Sequence, residues 1–159
     1  MHNPKESRNS NLLFTVIIPV YNREKLITRS IASVISQTYT NFEIICINDG
    51  STDNSEGMIN AIQQKDHRVK LITLKKNSGR CIARNKGILE AKGDWLCFLD
   101  SDDYYLENHL ETLCNLIKKN PDYDAYCTSQ SINKANPNSH LEKVTELKLI
   151  HFLRTNPIQ

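Results

Sequence analysis

Three aspartates stand close together at the end of an apolar run: Asp100, Asp102 and Asp103 directly follow Trp95–Leu99. So much negative charge in one turn is unfavourable unless a cation, an arginine, a lysine or water relieves it. Carboxylate oxygens are ligands that suit Mg2+ or Mn2+, which also bridge to substrate phosphates. The same aspartates could instead cap a following helix, and this turn taken alone favours the cap.

A second polar turn, with the sequence NDGS at positions 48–51, follows another apolar run. Gly50 permits a tight turn, and Asp49, Ser51 or Asp53 could cap the next helix. Alternatively, the Asp49 carboxylate could accept a hydrogen bond from the N–H of a base such as uracil. The motif by itself does not choose between these interpretations.

Two further turns carry basic and aromatic side chains. Arg80 and Arg84 are four residues apart, so on a helix they would share a face. A forked guanidinium group is well shaped for a phosphate or for the edge of a base. Tyr21 could stack on a flat base. A solvated basic face and an ordinary packing tyrosine are the structural alternatives, and both stay open at this point.

Short apolar runs precede all four turns and predict strands that are buried on both faces. These runs are Phe14–Ile18, Glu43–Ile47, Val69–Leu74 and Trp95–Leu99. Stripes of apolar residues at helical spacing follow each run and predict helices. The third stripe would end at Gly93 as a C-cap and consists of Ile82, Ala83, Ile88, Leu89 and Ala91. The alternation predicts an α/β fold with a mostly parallel sheet flanked by helices. In such a sheet, ligands bind outside the carboxyl ends of the strands, where the four polar turns fall.

The ends of the chain are less regular. Residues 1–12 form a polar N-terminal tail, and a main domain is expected over 13–130, with Asp124–Thr128 as a candidate fifth strand. The composition of 131–140 predicts a loop. Loose helical spacing predicts a C-terminal helix within 141–159.

Composition excludes several classes of function. A chain of 159 residues can bury one sizeable core, and 20 Lys+Arg against 18 Asp+Glu give a net charge of +2, which does not support nucleic-acid binding. No apolar stretch is long enough to cross a bilayer, and residues 1–10 lack the apolar middle of a signal peptide. A cytoplasmic location is therefore expected, with the inner membrane surface as an alternative. Five scattered cysteines favour reduced, mostly buried thiols over zinc or disulfides.

The four turns, in this order, resemble those of the inverting family 2 glycosyltransferases with a GT-A fold. The matching stretches are VIIPVYN at 16–22, INDGSTD at 47–53, NSGRCIARNKGI at 77–88 and GDWLCFLDSDD at 93–103. The resemblance covers about Phe14 to Thr128. It implies a Rossmann-like GT-A domain at 13–130 that binds a nucleotide diphosphate sugar, with UDP as the expected nucleotide.

The resemblance also implies roles for residues after the first two strands. Pro19, Val20 and Tyr21 would line the nucleoside pocket, and Asp49 would hydrogen-bond the base. Asn48 stands where a second aspartate is common in the family, which leaves the identity of the base less determined.

Five residues after the third and fourth strands would surround the rest of the donor. By the same resemblance, Asn77 and Arg84 would close around the base or a phosphate, and Asp100 and Ser101 would border the ribose and the diphosphate. Asp102, the last aspartate of the DxD pattern, would hold a divalent Mg2+ or Mn2+ on the diphosphate. Asp100 is a second candidate ligand for this metal.

The full enzyme implied by the resemblance transfers a sugar to a glycan acceptor, as in polysaccharide biosynthesis, and could associate peripherally with a membrane. Its catalytic base is expected beyond Gln159, in an acceptor half that residues 141–159 would lead into. The chain would then be a truncated piece or a short homologue that keeps the donor-binding portion. One alternative is a non-catalytic module that binds a nucleotide or a partner protein, and another is a flavodoxin-like receiver domain.

Overall fold

The computed structural model describes residues 11–128. The predicted loop at 131–140 and the helix expected within 141–159 therefore lie outside the described residues, as does most of the N-terminal tail. The chain divides into two compact units between Thr112 and Leu113, and the whole sheet belongs to the first unit. No helix within the described range has the length and apolarity to cross a membrane.

Four parallel strands form one sheet in the order β3-β2-β1-β4. They are β1 (Phe14–Val20), β2 (Phe42–Asn48), β3 (Val69–Thr73) and β4 (Trp95–Phe98). Phe14 at the start of β1 pairs with Phe42 on one side and with Trp95 on the other. The predicted α/β fold with a parallel sheet flanked by helices is confirmed.

Strand β1 lies between β2 and β4, and all of its residues are buried. Burial on both faces explains why its sequence is an almost continuous apolar run, with Thr15 as the polar exception, rather than an alternating one. The strand continues two residues past the predicted end at Ile18, through Pro19. Proline cannot donate to a ladder, but β4 pairs with β1 only as far as Ile17, so Pro19 lies beyond the last pair on that side.

Four helices accompany the sheet: α1 (Ile27–Ile35), α2 (Ser55–Gln63), α3 (Arg80–Glu90) and α4 (His109–Lys119). Helix α3 packs on β1 and β2 through small residues, since Ala83 and Gly87 are its buried positions. A Cβ atom at Gly87 would lie 2.5 Å from Cγ2 of Ile17. Of the apolar stripe predicted on this helix, Ala83 is buried as expected, but Ile82 and Leu89 are 53% and 74% exposed. At this close approach only small side chains fit against the sheet.

Gly93 does not cap α3, which corrects a second expectation. The helix ends at Glu90, and Ala91 already has an extended backbone. Gly93 instead lies against β1, where a Cβ atom would be 2.7 Å from the Thr15 nitrogen, so a close approach of two backbones requires the glycine.

The candidate fifth strand at Asp124–Thr128 is not formed. Its segment turns back on the end of α4: the Tyr126 hydroxyl donates to the carbonyl of Asn120, and the rings of Tyr123 and Tyr126 meet edge to face. These local contacts, rather than a ladder with a neighbouring strand, define its backbone.

The strand order reverses its direction at β1, which lies between β2 and β4. From β1 the chain moves outward through β2 to β3, and then returns to the opposite side of β1 to form β4. Because such crossovers are right-handed, the connecting segments on the two sides of β1 leave in opposite directions. A ligand site is expected outside the carboxyl ends of the strands at this reversal, where the turns after β1 and β4 meet.

Candidate functional site

Asn22 links the turn after β1 to the turn after β2 by hydrogen bonds. This residue has a φ of 51°, a left-handed conformation that asparagine tolerates better than most side chains. Its backbone N–H donates to Oγ of Ser51 at 3.0 Å, and its Oδ1 accepts from the N–H of Thr52 at 2.8 Å. These two hydrogen bonds join the turn after β1 to the turn after β2, directly beside Tyr21.

Asp53 strengthens this junction. Its carboxylate accepts hydrogen bonds from the N–H of Glu24 at 3.0 Å and from the N–H and hydroxyl of Ser55 at 3.0 and 2.6 Å. Desolvation raises the pKa of Asp53, but the hydrogen bonds from Ser55 and Glu24 outweigh it and lower the pKa below its usual value. The Ser55 hydroxyl also accepts from the N–H of Arg23 at 2.7 Å. Asp53 thus accepts from the N–H of Ser55, the first residue of α2. Asn54, at the N-cap position, makes no side-chain cap hydrogen bond.

Asp49 is buried and ties the end of β2 to the loop before α3. Its two oxygens accept from the N–H groups of Ser78 and Gly79, each at 2.8 Å. Oδ1 of Asn77 accepts from the same Gly79 N–H at 3.1 Å. A carboxylate offers about four lone-pair directions, so Asp49 keeps acceptor capacity beyond these bonds.

Gly50 makes this packing possible. Its φ is +67°, and a Cβ atom there would lie 2.6 Å from the carbonyl carbon of Lys76. The predicted tight turn at Gly50 is confirmed. It allows the backbone of the loop before α3 to lie directly against the end of β2.

Two arginines of α3 converge on Asp100. Nη2 of Arg84 lies 2.7 Å from Oδ1, and Nη1 of Arg80 lies 3.5 Å from Oδ2. Both arginines reach the same carboxylate, as expected for residues one helical turn apart. The Arg84 guanidinium also lies 5.6 Å from the centroid of the Phe98 ring. Arginines therefore relieve the charge of Asp100, which is one of the solutions expected for a crowded acidic turn.

Residues of helix α1 donate hydrogen bonds to the backbone carbonyls of the acidic turn. The hydroxyl of buried Ser30 is shared between the carbonyls of Ser101 and Asp103, at 2.9 and 2.7 Å. Nη2 of Arg29 donates to the carbonyl of Asp102 at 2.6 Å. These bonds hold the turn at its main chain and leave the aspartate side chains directed by other contacts.

The helix-cap interpretation of the aspartates is wrong. Helix α4 begins at His109, six residues after Asp103, so Asp100–Asp103 does not cap it. The acidic turn lies at the carboxyl end of β4 instead, with its backbone bound to α1. Its three carboxylates therefore have no role in starting the next helix.

Asp102 faces the turn after β1. Its Oδ2 lies 3.6 Å from Nη2 of Arg23, and about half of its side chain is exposed. Among residues 11–128, no group of three or more His, Cys, Asp or Glu side chains could hold a metal ion by itself. A hard divalent cation needs only one or two protein carboxylates when a diphosphate supplies other oxygens. The exposed oxygens of Asp102 fit such a shared site, whereas both oxygens of Asp100 already face arginines.

The remaining site residues predicted from the sequence lie at the same edge of the sheet. Pro19 and Val20 are buried at the end of β1, Ser101 is buried beneath the acidic turn, and Tyr21 is 41% exposed. The Tyr21 hydroxyl makes no hydrogen bond within the described part of the chain. The structure thus joins Arg84 to Asp100, and places Asp49 beside the loop of Asn77.

Sequence reasoning missed Arg23, Arg29 and Ser30. Arg23 directly follows the VYN turn, so an inspection of every basic residue next to a strand end would have found it. No such signal marks Arg29 or Ser30, because they occupy ordinary positions in α1 and contact the acidic turn only through tertiary packing.

Comparison with known proteins yields close matches in sequence. The model of the family described as glycosyl transferase family 2 matches residues 15–159. An uncharacterized glycosyltransferase of Haemophilus influenzae is 45% identical over 108 residues, which are 68% of this chain and 43% of that protein. The UDP-Glc:alpha-D-GlcNAc-diphosphoundecaprenol beta-1,3-glucosyltransferase WfgD of Escherichia coli is 39% identical over 108 residues, 68% of this chain and 42% of that protein. The chain therefore spans less than half of the length of these relatives.

A solved structure shows the same architecture. TarS of Staphylococcus aureus, residues 1–349 in complex with UDP, matches with a TM-score of 0.65 and 32% identity, over 69% of this chain and 33% of that one. This match identifies the four-stranded parallel sheet and its helices as a GT-A arrangement.

Proposed function

The chain belongs to glycosyl transferase family 2, and from this premise we propose that it is the donor-binding portion of an enzyme that transfers a sugar from a UDP-sugar to a glycan. The transfer is metal-dependent and inverts the configuration of the sugar carbon. The domain proposed at 13–130 binds the nucleotide and the diphosphate, and the acceptor is bound elsewhere in the full enzyme.

The convergence of four turns at one edge of the sheet is the observation that carries this proposal. Arg84 and Asp100 meet at 2.7 Å, and Arg23 approaches Asp102 at 3.6 Å, across the reversal in strand order. A polar edge with both guanidinium and carboxylate groups suits a ligand that combines a base, a ribose and a diphosphate. The UDP in the TarS structure and the UDP-Glc in the name of the E. coli relative support the choice of nucleotide.

In the proposed site, the residues at or after the ends of the first three strands contact the nucleoside. Pro19, Val20 and Tyr21 line the nucleoside pocket at the end of β1. Asp49 hydrogen-bonds the base with its remaining acceptor capacity, and Asn77 lies on the loop beside it.

The phosphates lie toward the acidic turn. Arg84 contacts the base or a phosphate, and Asp100 and Ser101 border the ribose and the diphosphate. Asp102 would hold Mg2+ or Mn2+ with one carboxylate. When bound, this cation supplies positive charge that stabilises the departing nucleoside diphosphate. The arginines would provide further positive charge at the same edge.

The sugar acceptor and the catalytic general base are further parts of this proposal. General-base catalysis needs a carboxylate within reach of the acceptor hydroxyl, and we assign no residue of this chain to that role. The name of the E. coli relative places its acceptor on diphosphoundecaprenol. An acceptor on such an apolar carrier would bring the enzyme to the inner membrane surface, so peripheral membrane association is part of the proposal.

Calorimetric titration of the full 159-residue chain with UDP, with and without Mn2+, tests the proposed donor site. We expect binding that requires Mn2+ and exceeds the binding of GDP. Asp102→Ala removes the proposed metal ligand and should abolish the Mn2+-dependent part of UDP binding. Asp103→Ala removes the same charge one residue later and should leave most of it.

Equal loss in both variants would show a general charge effect and contradict the role of Asp102. A folded chain that binds neither nucleotide under any condition would contradict the donor-binding function itself. Binding of UDP without any sugar transfer by the proposed full enzyme would instead indicate a non-catalytic module.

A further inference from the structure

The side chain of Arg23 is only partly satisfied by its contacts beside the acidic turn. Its Nη1 donates to the carbonyl of Asn22 at 3.1 Å, and its Nη2 approaches Asp102 only to 3.6 Å, longer than a good charge-assisted hydrogen bond. Its Nε is buried and has no hydrogen-bond partner within the described residues. A buried donor without an acceptor is unfavourable, so this guanidinium is only partly satisfied where it lies.

The backbone of Arg23 is far better held than its side chain. Its N–H donates to the Ser55 hydroxyl at 2.7 Å, within the junction that Asn22 and Asp53 build between two turns. The Arg23 side chain is 40% exposed and borders an open pocket of about 290 Å3. A fixed backbone with a loosely held cation and adjoining space allows the side chain to change partners without moving the loop.

Asp102 has a matching asymmetry. Its carbonyl is fixed by Arg29 at 2.6 Å, while its carboxylate has the long contact with Arg23 and is half exposed. Asp100, two residues earlier, has a carboxylate bound at 2.7 Å by Arg84. Of the two carboxylates, that of Asp102 is therefore held less tightly by its arginine, Arg23.

We propose that Arg23 is a tethered cation that holds Asp102 in the free protein and turns to the diphosphate when a divalent cation engages that carboxylate. The inference rests on the proposed function of the same site. Arg23 and a metal ion compete for one carboxylate, so metal binding without nucleotide is weakened. When nucleotide is present, the displaced guanidinium gains phosphate oxygens, which satisfy the donors that its present position leaves unpaired. Arg23 therefore makes binding of the metal and of the donor depend on each other.

Mn2+ binding to the full chain, followed by the electron paramagnetic resonance signal of free Mn2+, tests this competition without any catalytic readout. In the absence of nucleotide, Arg23→Ala should bind Mn2+ about two- to fivefold more tightly, the range that an exposed ion pair supports. Lys25→Ala is the matched control, because it removes the same charge two residues away and Lys25 makes no ion pair within residues 11–128. It should change Mn2+ affinity much less, since exposed charges at greater distance are screened.

UDP titration in Mn2+ gives the second readout. The same Arg23→Ala variant should bind UDP about tenfold more weakly, as expected for loss of a charge-assisted phosphate contact. Tighter Mn2+ binding together with weaker UDP binding is the expected pattern, and a simple loss of structure would weaken both. If Arg23→Ala fails to fold, Arg23→Gln keeps a hydrogen-bonding side chain without the charge and should give the same pattern.

Mn2+ affinity that is unchanged, reduced or undetectable in the folded Arg23 variant, or increased equally in Lys25→Ala, would overturn the proposal. In each of these cases, Mn2+-dependent UDP binding by the unsubstituted chain would leave the donor-binding function standing. Absence of UDP binding by the unsubstituted chain would instead contradict the proposed function on which the inference rests.

Discussion

Nη2 of Arg84 lies 2.7 Å from Oδ1 of Asp100 and joins α3 to the turn after β4. Asp102, two residues after Asp100 in the same turn, instead faces Arg23, which lies in the turn after β1. Two aspartates of one turn thus meet arginines from two different connections. The two aspartates are only two residues apart in the sequence. Only the positions of α3 and β1 around the turn distinguish their contacts.

Replacement of Arg84 by alanine should weaken Mn2+-dependent UDP binding about tenfold or more, because it removes a close charge-assisted partner of the site. Arg80→Ala removes the same charge from the same helix face, but its contact with Asp100 is 3.5 Å long and its side chain is 65% exposed. It should weaken binding by less than about threefold. Calorimetry on both variants compares them, and equal losses would contradict a specific role of Arg84.

Asp49→Ala should destabilise the fold by about 2–3 kcal/mol, because it leaves two backbone N–H groups, those of Ser78 and Gly79, without their charged acceptor. It should also weaken UDP binding. Asn77→Ala removes a longer bond to the same Gly79 N–H and should cost less than about 1 kcal/mol. Urea unfolding measures both free energies. A stable Asp49→Ala variant with weak UDP binding would show that the residue serves the ligand rather than the loop.

Gly50→Ala should destabilise the protein by roughly 2–5 kcal/mol, since the new Cβ combines a left-handed φ with a 2.6 Å approach to Lys76. Gly57→Ala is the control, because this glycine lies in α2 and its new Cβ would meet only the side chain of Asn54. That side chain can rotate away, so Gly57→Ala should be neutral or stabilising by up to about 1 kcal/mol. Thermal or urea unfolding compares the two; similar losses would argue against crowding at Gly50.

Ser30→Ala should loosen the acidic turn from α1. The single hydroxyl hydrogen of Ser30 is shared by two carbonyls, and its loss should cost about 1 kcal/mol of stability. Mn2+-dependent UDP binding should fall further than stability predicts, because Asp102 lies between these carbonyls. Ser36→Ala, whose hydroxyl reaches only the carbonyl of Ser33 on the exposed side of α1, should change neither quantity. Unaltered UDP affinity in folded Ser30→Ala would show that α1 does not position the turn for binding.

Glu90 should make stability depend on pH in the acid range. Its carboxylate contacts Nζ of Lys70 and of Lys86, each at 2.8 Å, and the hydrogen bonds from these lysines lower its pKa from 4.5 to about 2. The folded chain therefore binds this proton less readily than the unfolded chain. Its stabilising contribution is present above pH 4.5 and is lost as pH falls toward 2.

Urea unfolding of Glu90→Gln and of the unsubstituted chain tests this contribution. The glutamine variant should be less stable at pH 7, and the difference should narrow below pH 4.5. High salt should also reduce it, because the group is exposed and its ion pairs are screened. A difference that does not change with pH would contradict the ion-pair explanation.

The strands were the most predictable part of the fold. Short runs rich in apolar residues locate all four strands, and the structure adds only Pro19 and Val20 to β1 and small changes to the other ends. Helix α3 was predicted at the correct place, but its buried face was predicted only in part. The apolar stripe correctly included Ala83, whereas its large members Ile82 and Leu89 are exposed and the buried Gly87 was not predicted. Size, rather than hydrophobicity, decided that packing.

The sequence by itself determined the family, the order of strands and helices, and the polar turns that follow each strand. These properties depend on local patterns and on motifs that are read along the chain. Only the tertiary structure decided that Arg84 meets Asp100, that Arg23 meets Asp102, and that Ser30 carries the acidic turn. Such contacts join residues up to 79 positions apart, and they follow from the reversal of strand order at β1, which no local pattern encodes.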